Sequence, residues 1–187
     1  MPIIQVQHRR SSLNSEQKAA IAARLTELLL QMEGGARTEG GKAFATVLFT
    51  PVDDTDWWVG GRNDDHFVHS PGAFLVTVSI PEGYMNQAHK NEVHAWVADA
   101  VAQSVGATAA GGSILTVINE VTEGDWGAAG RPISLKSISA TVGQSPNGPR
   151  MAWSQSYFDA KARARSAAAF PADAGGLWID RESQGKE

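Results

Sequence analysis

Two short stretches near the start of the chain decide its fold: IIQVQH at residues 3–8 and NSEQ at residues 14–17. The first predicts a β-strand. The second resembles a capping box, with Asn14 as the N-cap and Gln17 reaching back to it, so we predict a helix to about Glu33. The apolar stripe of this helix has helical spacing and consists of Ile21, Leu25, Leu28, Leu29 and Met32. The glycines at 34–35 are predicted to end it, and FATVLF at residues 44–49 predicts a second strand.

The same order of elements recurs about 70 residues further along the chain. A strand is predicted at residues 74–80, and Asn86 can cap a helix that Gly106 ends. A further strand is predicted at residues 114–118. The apolar face of the second helix consists of Val93, Val97, Ala100, Val101 and Val105. The sequence DWGAAG at residues 125–130 then echoes DWWVGG at residues 56–61.

Each copy is therefore predicted to be a β-α-β unit, one over residues 1–65 and the other over 72–135. Side by side, two such units give an α+β (α/β two-layer) fold, in which a four-stranded sheet carries both helices on one face. Strands 74–80 and 114–118 are apolar on both sides, which indicates that the other face is also buried. Self-association is the simplest cover for it.

Residues 1–142 are predicted to form one domain, and residues 143–187 a C-terminal extension. The extension starts with a Pro-, Gly- and Asn-containing linker at residues 143–149, followed by an Ala-rich helix from about Met151 to Ala169 and a charged tail. This helix has an aromatic edge formed by Trp153, Tyr157 and Phe158. That edge could pack on the same domain, contact a neighbouring subunit or cover a site.

Composition restricts the function of this 187-residue chain. A net charge of −4 argues against nucleic acid as the main partner, and the absence of cysteine excludes disulfides and thiolate catalysis. The chain has neither an apolar run long enough to span a membrane nor the order of a signal peptide, so we expect a cytoplasmic protein without a membrane partner. The histidine spacings and glycine pairs fit neither a zinc site nor a phosphate loop, so no metal or cofactor is predicted, and His89 and His94 are expected at the surface.

Pro2 is the candidate catalytic residue. Methionine is usually removed before a small residue, and this would leave Pro2 with a free secondary amine at the start of an apolar strand. Apolar surroundings disfavour the ammonium form of such an amine. A neutral amine can take a proton from carbon or attack a carbonyl to form an iminium, and the sequence does not choose between these reactions.

These features resemble the tautomerase superfamily, whose members start with a processed proline and are built from two β-α-β units, fused or assembled from short chains. The resemblance rests on Pro2 leading a strand, on SEQK at residues 15–18 as in 4-oxalocrotonate tautomerase, and on the aromatic-Gly-Gly hairpin in both copies. The first 35 residues align without gaps with cis-3-chloroacrylic acid dehalogenase, and FVH at 67–69 and the tail helix at 153–170 resemble that group as well. The resemblance implies a homotrimer that acts on a small keto/enol acid.

Several residues depart from the family pattern. The dehalogenases use a histidine where this chain has Leu29, and two arginines where it has Pro81 and Tyr84. The oxalocrotonate enzymes use an arginine on the second strand, where Thr46 and Leu115 stand. These departures argue against halide-releasing hydration. Asn119 instead resembles the asparagine that contacts substrate in the phenylpyruvate-tautomerase branch.

The predicted substrate-binding residues come from the two hairpins, from the turn that precedes the second helix and from the end of the last predicted strand. Arg62 and Arg131 occupy matching places after the two hairpins, which in a trimer reach neighbouring subunits, although a solvent-exposed position is the more ordinary alternative for each. Trp57 and Trp126 are predicted to wall an apolar pocket, or else to be core or interface residues. Tyr84 could donate a hydrogen bond, and Asn119 completes the set.

The sequence therefore predicts a proline-dependent tautomerase, an isomerase whose activity requires removal of Met1. Two alternatives remain open. One is a decarboxylase, hydratase or dehalogenase of the same superfamily in which protonated Pro2 acts as an acid. The other is a member of the fold that has no catalytic activity.

Overall fold

A computed structural model describes residues 3–32 and 38–178. The central strands and helices are β1 (Ile3–Arg9), α1 (Ser15–Met32), α2 (Glu39–Phe44), β2 (Thr46–Val52), β3 (Phe74–Pro81), α3 (Gln87–Ser104) and β4 (Ile114–Val121). They are followed by the short strands β5 (Gly127–Ala128) and β6 (Arg131–Pro132) and the helices α4 (Leu135–Thr141) and α5 (Pro149–Ala167). Short 3-10 turns lie at Arg10–Ser12, Asp54–Asp56 and Asp65–Phe67. No helix within the described ranges has the length and apolar character needed to cross a membrane.

The main sheet has the strand order β2-β1-β3-β4. Strands β1 and β2 are parallel, as are β3 and β4, so each β-α-β unit has the predicted parallel connection. The two units meet through the antiparallel pair β1 and β3, in which Val6 lies opposite Val76. Helices α1 and α3 cover one face of the sheet and share its apolar core. The predicted fold class is confirmed.

Both main helices begin where their capping residues predict. The Asn14 backbone N–H donates to Gln17 Oε1 at 3.0 Å, and the Gln17 N–H donates to Asn14 Oδ1 at 2.8 Å, which completes the capping box. In α3 the Asn86 side chain accepts the His89 N–H at 2.9 Å. Helix α1 is described to Met32, and the predicted stop at glycines 34–35 lies outside the described residues.

Some element boundaries differ from the sequence prediction. The second strand begins at Thr46 rather than residue 44, because the short helix α2 occupies the preceding residues and Thr38 caps it by accepting the Gly41 N–H at 3.0 Å. Helix α4 was not predicted, and Ser134 caps it by accepting the Ser137 N–H at 3.1 Å. Helix α5 is shifted by two residues at each end, since Pro149 suits the first turn of a helix.

The sheet face opposite α1 and α3, which we call the open face, is left uncovered by the described part of the chain. Alternate residues of β1, β3 and β4 point to it, as the period of a strand requires. Leu48, Leu115 and Val117 are 49%, 57% and 45% exposed there, and we call these three residues the open strip. Leu48 and Val117 lie in the same row across the sheet.

Helix α5 packs against the turn that follows β3. Phe158 is buried in the core, and Ser154 Oγ donates to the Gly83 carbonyl at 2.9 Å. Lys161 Nζ lies 2.6 Å from Glu82 Oε2, and the Tyr157 hydroxyl donates to Glu82 Oε1 at 2.7 Å. One half-buried carboxylate therefore holds two side chains of α5.

The contacts that Glu82 makes with Lys161 and Tyr157 allow a prediction of how acid destabilises the protein. Burial by itself raises the pKa of Glu82, but the hydrogen bonds from Lys161 and Tyr157 outweigh it and hold the pKa below its ordinary 4.5. A depressed pKa in the folded state contributes stability above the unfolded-state value, and this stability is lost as the pH falls through the folded-state value. The free energy of unfolding should therefore fall below pH 4.5, and it should fall less steeply in Glu82→Gln.

Urea unfolding at a series of pH values measures this difference. Glu16→Gln, which changes an exposed carboxylate on α1, is the matched control and should keep the slope of the wild-type protein. Equal slopes for the wild type and Glu82→Gln would contradict the assignment.

Candidate active site

The candidate active site lies at the end of the sheet where β1 begins. Ile3, the first described residue, pairs with Thr46 of β2 on one side and with Ser79 of β3 on the other. Ser79 pairs in turn with Asn119 of β4, so these four residues form one row across the open face. The predicted catalytic residue Pro2 lies outside the described residues, directly before this row in the sequence.

Asn119 is exposed on the open face. Strand β3 separates its strand from β1, and two strand spacings amount to about 10 Å. The Asn119 side chain and the beginning of β1 in the same chain are therefore not direct neighbours. Asn119 nevertheless lies in the same row of the sheet as Ile3, the first described residue of β1, on the open face, where a second subunit could bind.

The two hairpins lie at opposite ends of the sheet. Because β1 and β3 are antiparallel, β2 and β4 also run in opposite directions. Trp57 and Arg62 follow β2, whose last residue pairs with the last residue of β1. Trp126 and Arg131 follow β4, at the end where β1 begins. The ends are about 20 Å apart along β1, so one chain does not bring the two predicted Trp-Arg sets together.

The hairpins themselves match in conformation. Val59 pairs with Arg62 across a turn in which Gly60 and Gly61 have φ of 58° and 77°. In the second copy Ala128 pairs with Arg131, and Ala129 and Gly130 have φ of 51° and 74°. Two consecutive positive φ values are typical of a type I′ hairpin turn. The echo seen in the sequence therefore corresponds to a repeated local structure.

The two hairpin arginines differ in their surroundings. Arg62 forms an ion pair with Asp64, with Nε 2.9 Å from Asp64 Oδ1, and this pairing is the main cause that lowers the pKa of Asp64 to about 2. Both side chains are largely exposed, so the pair contributes little to stability. Arg131 is exposed in β6, and the described residues provide its side chain with no hydrogen-bond acceptor.

The predicted aromatic residues are buried to different degrees. Trp126 is 9% exposed and Trp57 is half-buried. Tyr84 is 3% exposed, and its hydroxyl donates to the Met32 carbonyl at 3.2 Å. Tyr84 follows the end of β3, which lies beside the beginning of β1, so both Tyr84 and Trp126 belong to the Pro2 end of the sheet.

Sequence reasoning missed one group of residues at this end. Arg150, at the start of α5, lies with its guanidinium carbon 5.2 Å from the centre of the Tyr84 ring. His89, expected at the surface, is half-buried with an enclosed Nδ1 atom, whereas His94 is exposed as expected. Arg150, Tyr84, His89 and Trp153 are among the residues that line a cavity of about 320 Å³. The aromatic edge of α5 was the only sequence signal for this group of residues. Their proximity depends on how α5 packs against the rest of the chain, which the sequence does not show.

Comparison with known proteins identifies the fold. No family model matches the sequence, and no curated protein is detectably similar to it. Among solved structures, a fused 4-OT wild-type symmetric trimer is 19% identical with a TM-score of 0.56, and the alignment covers 74% of this chain and 98% of that one. A member of the cis-3-chloroacrylic acid dehalogenase family, N1, is 18% identical with a TM-score of 0.55, covering 70% and 82%. FG41 malonate semialdehyde decarboxylase, inhibited by 3-bromopropiolate, is 21% identical with a TM-score of 0.51, covering 75% and 95%.

These structures share the tandem β-α-β fold of the tautomerase superfamily, and the chain described here has that fold. The resemblance predicted from the sequence is confirmed at this level. The three related structures include a tautomerase-type, a dehalogenase-type and a decarboxylase protein, so the fold alone does not select the reaction.

Proposed function

We propose that the protein is a proline-dependent tautomerase that shifts a proton between carbon atoms of a small keto/enol carboxylic acid. The observation that carries the proposal is the position of β1. This strand lies in the middle of a tautomerase-type sheet, and its first described residue directly follows Pro2 in the sequence. Removal of Met1 gives that proline a free secondary amine.

In the proposed mechanism the neutral Pro2 amine takes a proton from one carbon of the substrate and returns it to another. The enolate oxygen that develops between the two steps needs hydrogen-bond donors. Asn119 and Arg131 can supply them from the open face and the second hairpin. Trp126 of the same end and Trp57 from the opposite end of a neighbouring subunit form an apolar wall that keeps the amine neutral. Arg62 of that neighbour is a candidate cation for the anionic substrate.

The proposed assembly is a homotrimer, and it supports the mechanism because it would bring the two ends of the sheet together. The open strip, Leu48, Leu115 and Val117, is an apolar surface that residues 3–32 and 38–178 of the same chain leave exposed. A fused 4-OT of the same fold is a symmetric trimer. A second copy of this chain is therefore the proposed occupant of the open face.

Val117→Lys should disrupt this assembly. A lysine at this position would place a charge without a partner in the buried interface. The desolvation of that charge costs more free energy than the subunit contacts supply. We expect light scattering after size exclusion to give a trimer mass for the wild type and a monomer mass for the variant. The matched control, Ala164→Lys, adds the same charge at an exposed position of α5 and should stay trimeric. A wild type that elutes as a monomer would contradict the proposal.

The functional test combines intact-mass spectrometry with an assay. The mass shows whether Met1 has been removed, and the processed protein is then assayed for enol–keto conversion of phenylpyruvate and 2-hydroxymuconate. Protein that retains Met1 is expected to be inactive, because an amide nitrogen has no basic lone pair. Activity of the unprocessed form would contradict the mechanism.

The alternatives make different predictions in the same preparation. A decarboxylase would release carbon dioxide from malonate semialdehyde, the compound in the name of a structure of this fold. A dehalogenase would release chloride from 3-chloroacrylate, but Leu29 and the turn at Pro81 and Tyr84 provide neither histidine nor arginine at the positions that the dehalogenase pattern needs. A non-catalytic member would show none of these activities even after Met1 removal.

A further inference from the structure

A cavity of about 320 Å³ lies at the Pro2 end of the sheet, between the beginnings of α3 and α5. Its lining consists of Tyr84, Asn86, His89, Pro149, Arg150 and Trp153. The turn that carries Tyr84 directly follows β3, and the end of β3 lies beside the beginning of β1. The cavity is therefore close to where the chain enters the sheet.

One side-chain nitrogen of Arg150 has no acceptor among the described residues. Its Nη1 atom is enclosed by protein, and the described residues provide it with no hydrogen-bond partner. The stacking over Tyr84, at 5.2 Å, stabilises the guanidinium through the ring face but does not satisfy its N–H groups. Enclosed donors are normally paired, so an arginine in this state needs an anion or water.

The surroundings of Arg150 also favour negative charge. The N-terminus of α3, capped by Asn86, and that of α5, which begins at Pro149, both open into the cavity and carry partial positive charge. His89 Nδ1 is a second enclosed atom without a partner among the described residues. The described residues that line the cavity include no carboxylate. Glu92, an exposed residue, lines only the smaller adjoining cavity that also contacts Arg150.

The cavity has an apolar side as well. Trp153 stacks on Tyr157 with ring centres 5.7 Å apart, and Tyr84 is a second aromatic residue in the lining. A ligand with one carboxylate and one flat apolar group suits this combination, because the charge meets Arg150 and the apolar group lies against the aromatic rings.

We propose that Arg150 binds the carboxylate of the substrate on which Pro2 acts. The inference rests on the proposed function for its link to Pro2, but not for the anion site itself. Arg150 is supplied by the C-terminal extension, so α5 becomes a part of the active site. Specificity for carboxylates over neutral carbonyl compounds would then depend on the docking of this helix.

Calorimetric titration with an unreactive pair of ligands tests the anion site directly. We expect 3-phenylpropanoate to bind the wild-type protein in the millimolar range or better, and 3-phenylpropanamide, its uncharged counterpart, to bind at least about tenfold more weakly. Arg150→Met should lose the preference for the carboxylate, and Arg150→Lys should keep part of it through the remaining point charge. The matched control, Arg163→Met, removes an exposed arginine from the same helix and should bind like the wild type.

A kinetic measurement tests the link to Pro2. 3-Phenylpropanoate should compete with the keto/enol substrate, and Arg150→Met should raise KM by at least about tenfold with a smaller change in kcat, since the carboxylate interaction exists before and during the reaction. Circular dichroism and thermal melting establish that each variant is folded.

The outcomes separate the two proposals. The anion site is overturned if 3-phenylpropanoate does not bind the wild type, if the carboxamide binds equally well, or if Arg150→Met binds like the wild type. If the carboxylate binds through Arg150 but does not compete with the substrate, the site exists and its link to Pro2 is wrong. An inactive wild type that still binds the carboxylate through Arg150 counts against the proposed function alone.

Discussion

Replacing Pro2 with alanine is expected to lower kcat/KM for the keto/enol substrate by at least about a hundredfold, the lower end of what a positioned general base contributes. Alanine at position 2 still allows Met1 to be removed, so the variant keeps a free amine. It loses the secondary amine and the rigid ring that fixes its direction. The loss should appear in kcat, because proton transfer is the step that the proposed mechanism assigns to the amine.

The control for this experiment is Pro51→Ala. Pro51 lies in β2 opposite His8, at the other end of β1, and its replacement removes a strand proline without touching the amine. Initial rates with phenylpyruvate, together with the intact mass of each protein, provide the measurement. A Pro2→Ala variant that keeps the activity of the wild type would rule out proline as the base, whatever the fold.

Gly83→Ala, in the turn that receives α5, should destabilise the protein more than the same substitution at Gly106, which lies at the end of α3. Gly83 has a φ of 71°, a left-handed conformation that costs other residues about 1–2 kcal/mol. A Cβ there would also lie 2.6 Å from Tyr157 Cδ1 and 2.9 Å from Phe158 Cε2. Both rings belong to α5, and Phe158 is buried in the core, so the helix must shift to admit the methyl group.

Gly106→Ala is a matched control for the backbone contribution. Gly106 has a φ of 76° at the end of α3, and no heavy atom lies within 4 Å of the position that its Cβ would take. It should therefore cost about 1–2 kcal/mol in the free energy of unfolding, and Gly83→Ala should cost about 1–3 kcal/mol more, because overpacking is added to the same strain. Chemical denaturation measures both. Equal losses in the two variants would show that α5 does not press against the turn.

The two glycine variants also connect stability with the site. If α5 shifts in Gly83→Ala, Arg150 shifts with it, and the affinity for 3-phenylpropanoate should fall. Gly106→Ala lies at the other end of α3 and should leave that affinity unchanged.

The elements that local sequence signals specify were predictable. Asn14 and Asn86 cap the two main helices because their side chains satisfy backbone N–H groups a few residues away, a relation that the sequence contains in full. The apolar residues of β1 and β3 likewise require burial on at least one side. Internal repetition then predicted the tandem units, and the resemblance to the superfamily predicted how they combine.

Features that depend on distant parts of the chain were not predictable in the same way. Helix α4 is held partly by Glu123, whose carboxylate accepts the Leu135 N–H at 3.0 Å, and nothing in the local sequence shows that contact. Whether Arg62 and Arg131 share a site is decided by the antiparallel meeting of β1 and β3. Arg150 reaches Tyr84 only because α5 folds back across the turn after β3.

The antiparallel meeting of the two units gives the sheet an approximate half-turn symmetry. At one end lies Ile3, which directly follows the proposed catalytic proline in the sequence. The opposite end carries the continuous backbone before Phe74 and the contact between Arg9 and Asp65. If the reaction takes place at the Ile3 end, as proposed, natural variants should accumulate substitutions faster at the opposite end, except where its residues contact a neighbouring subunit. A duplicated ancestor with two equivalent ends would in this way become a protein with one working end and one supporting end.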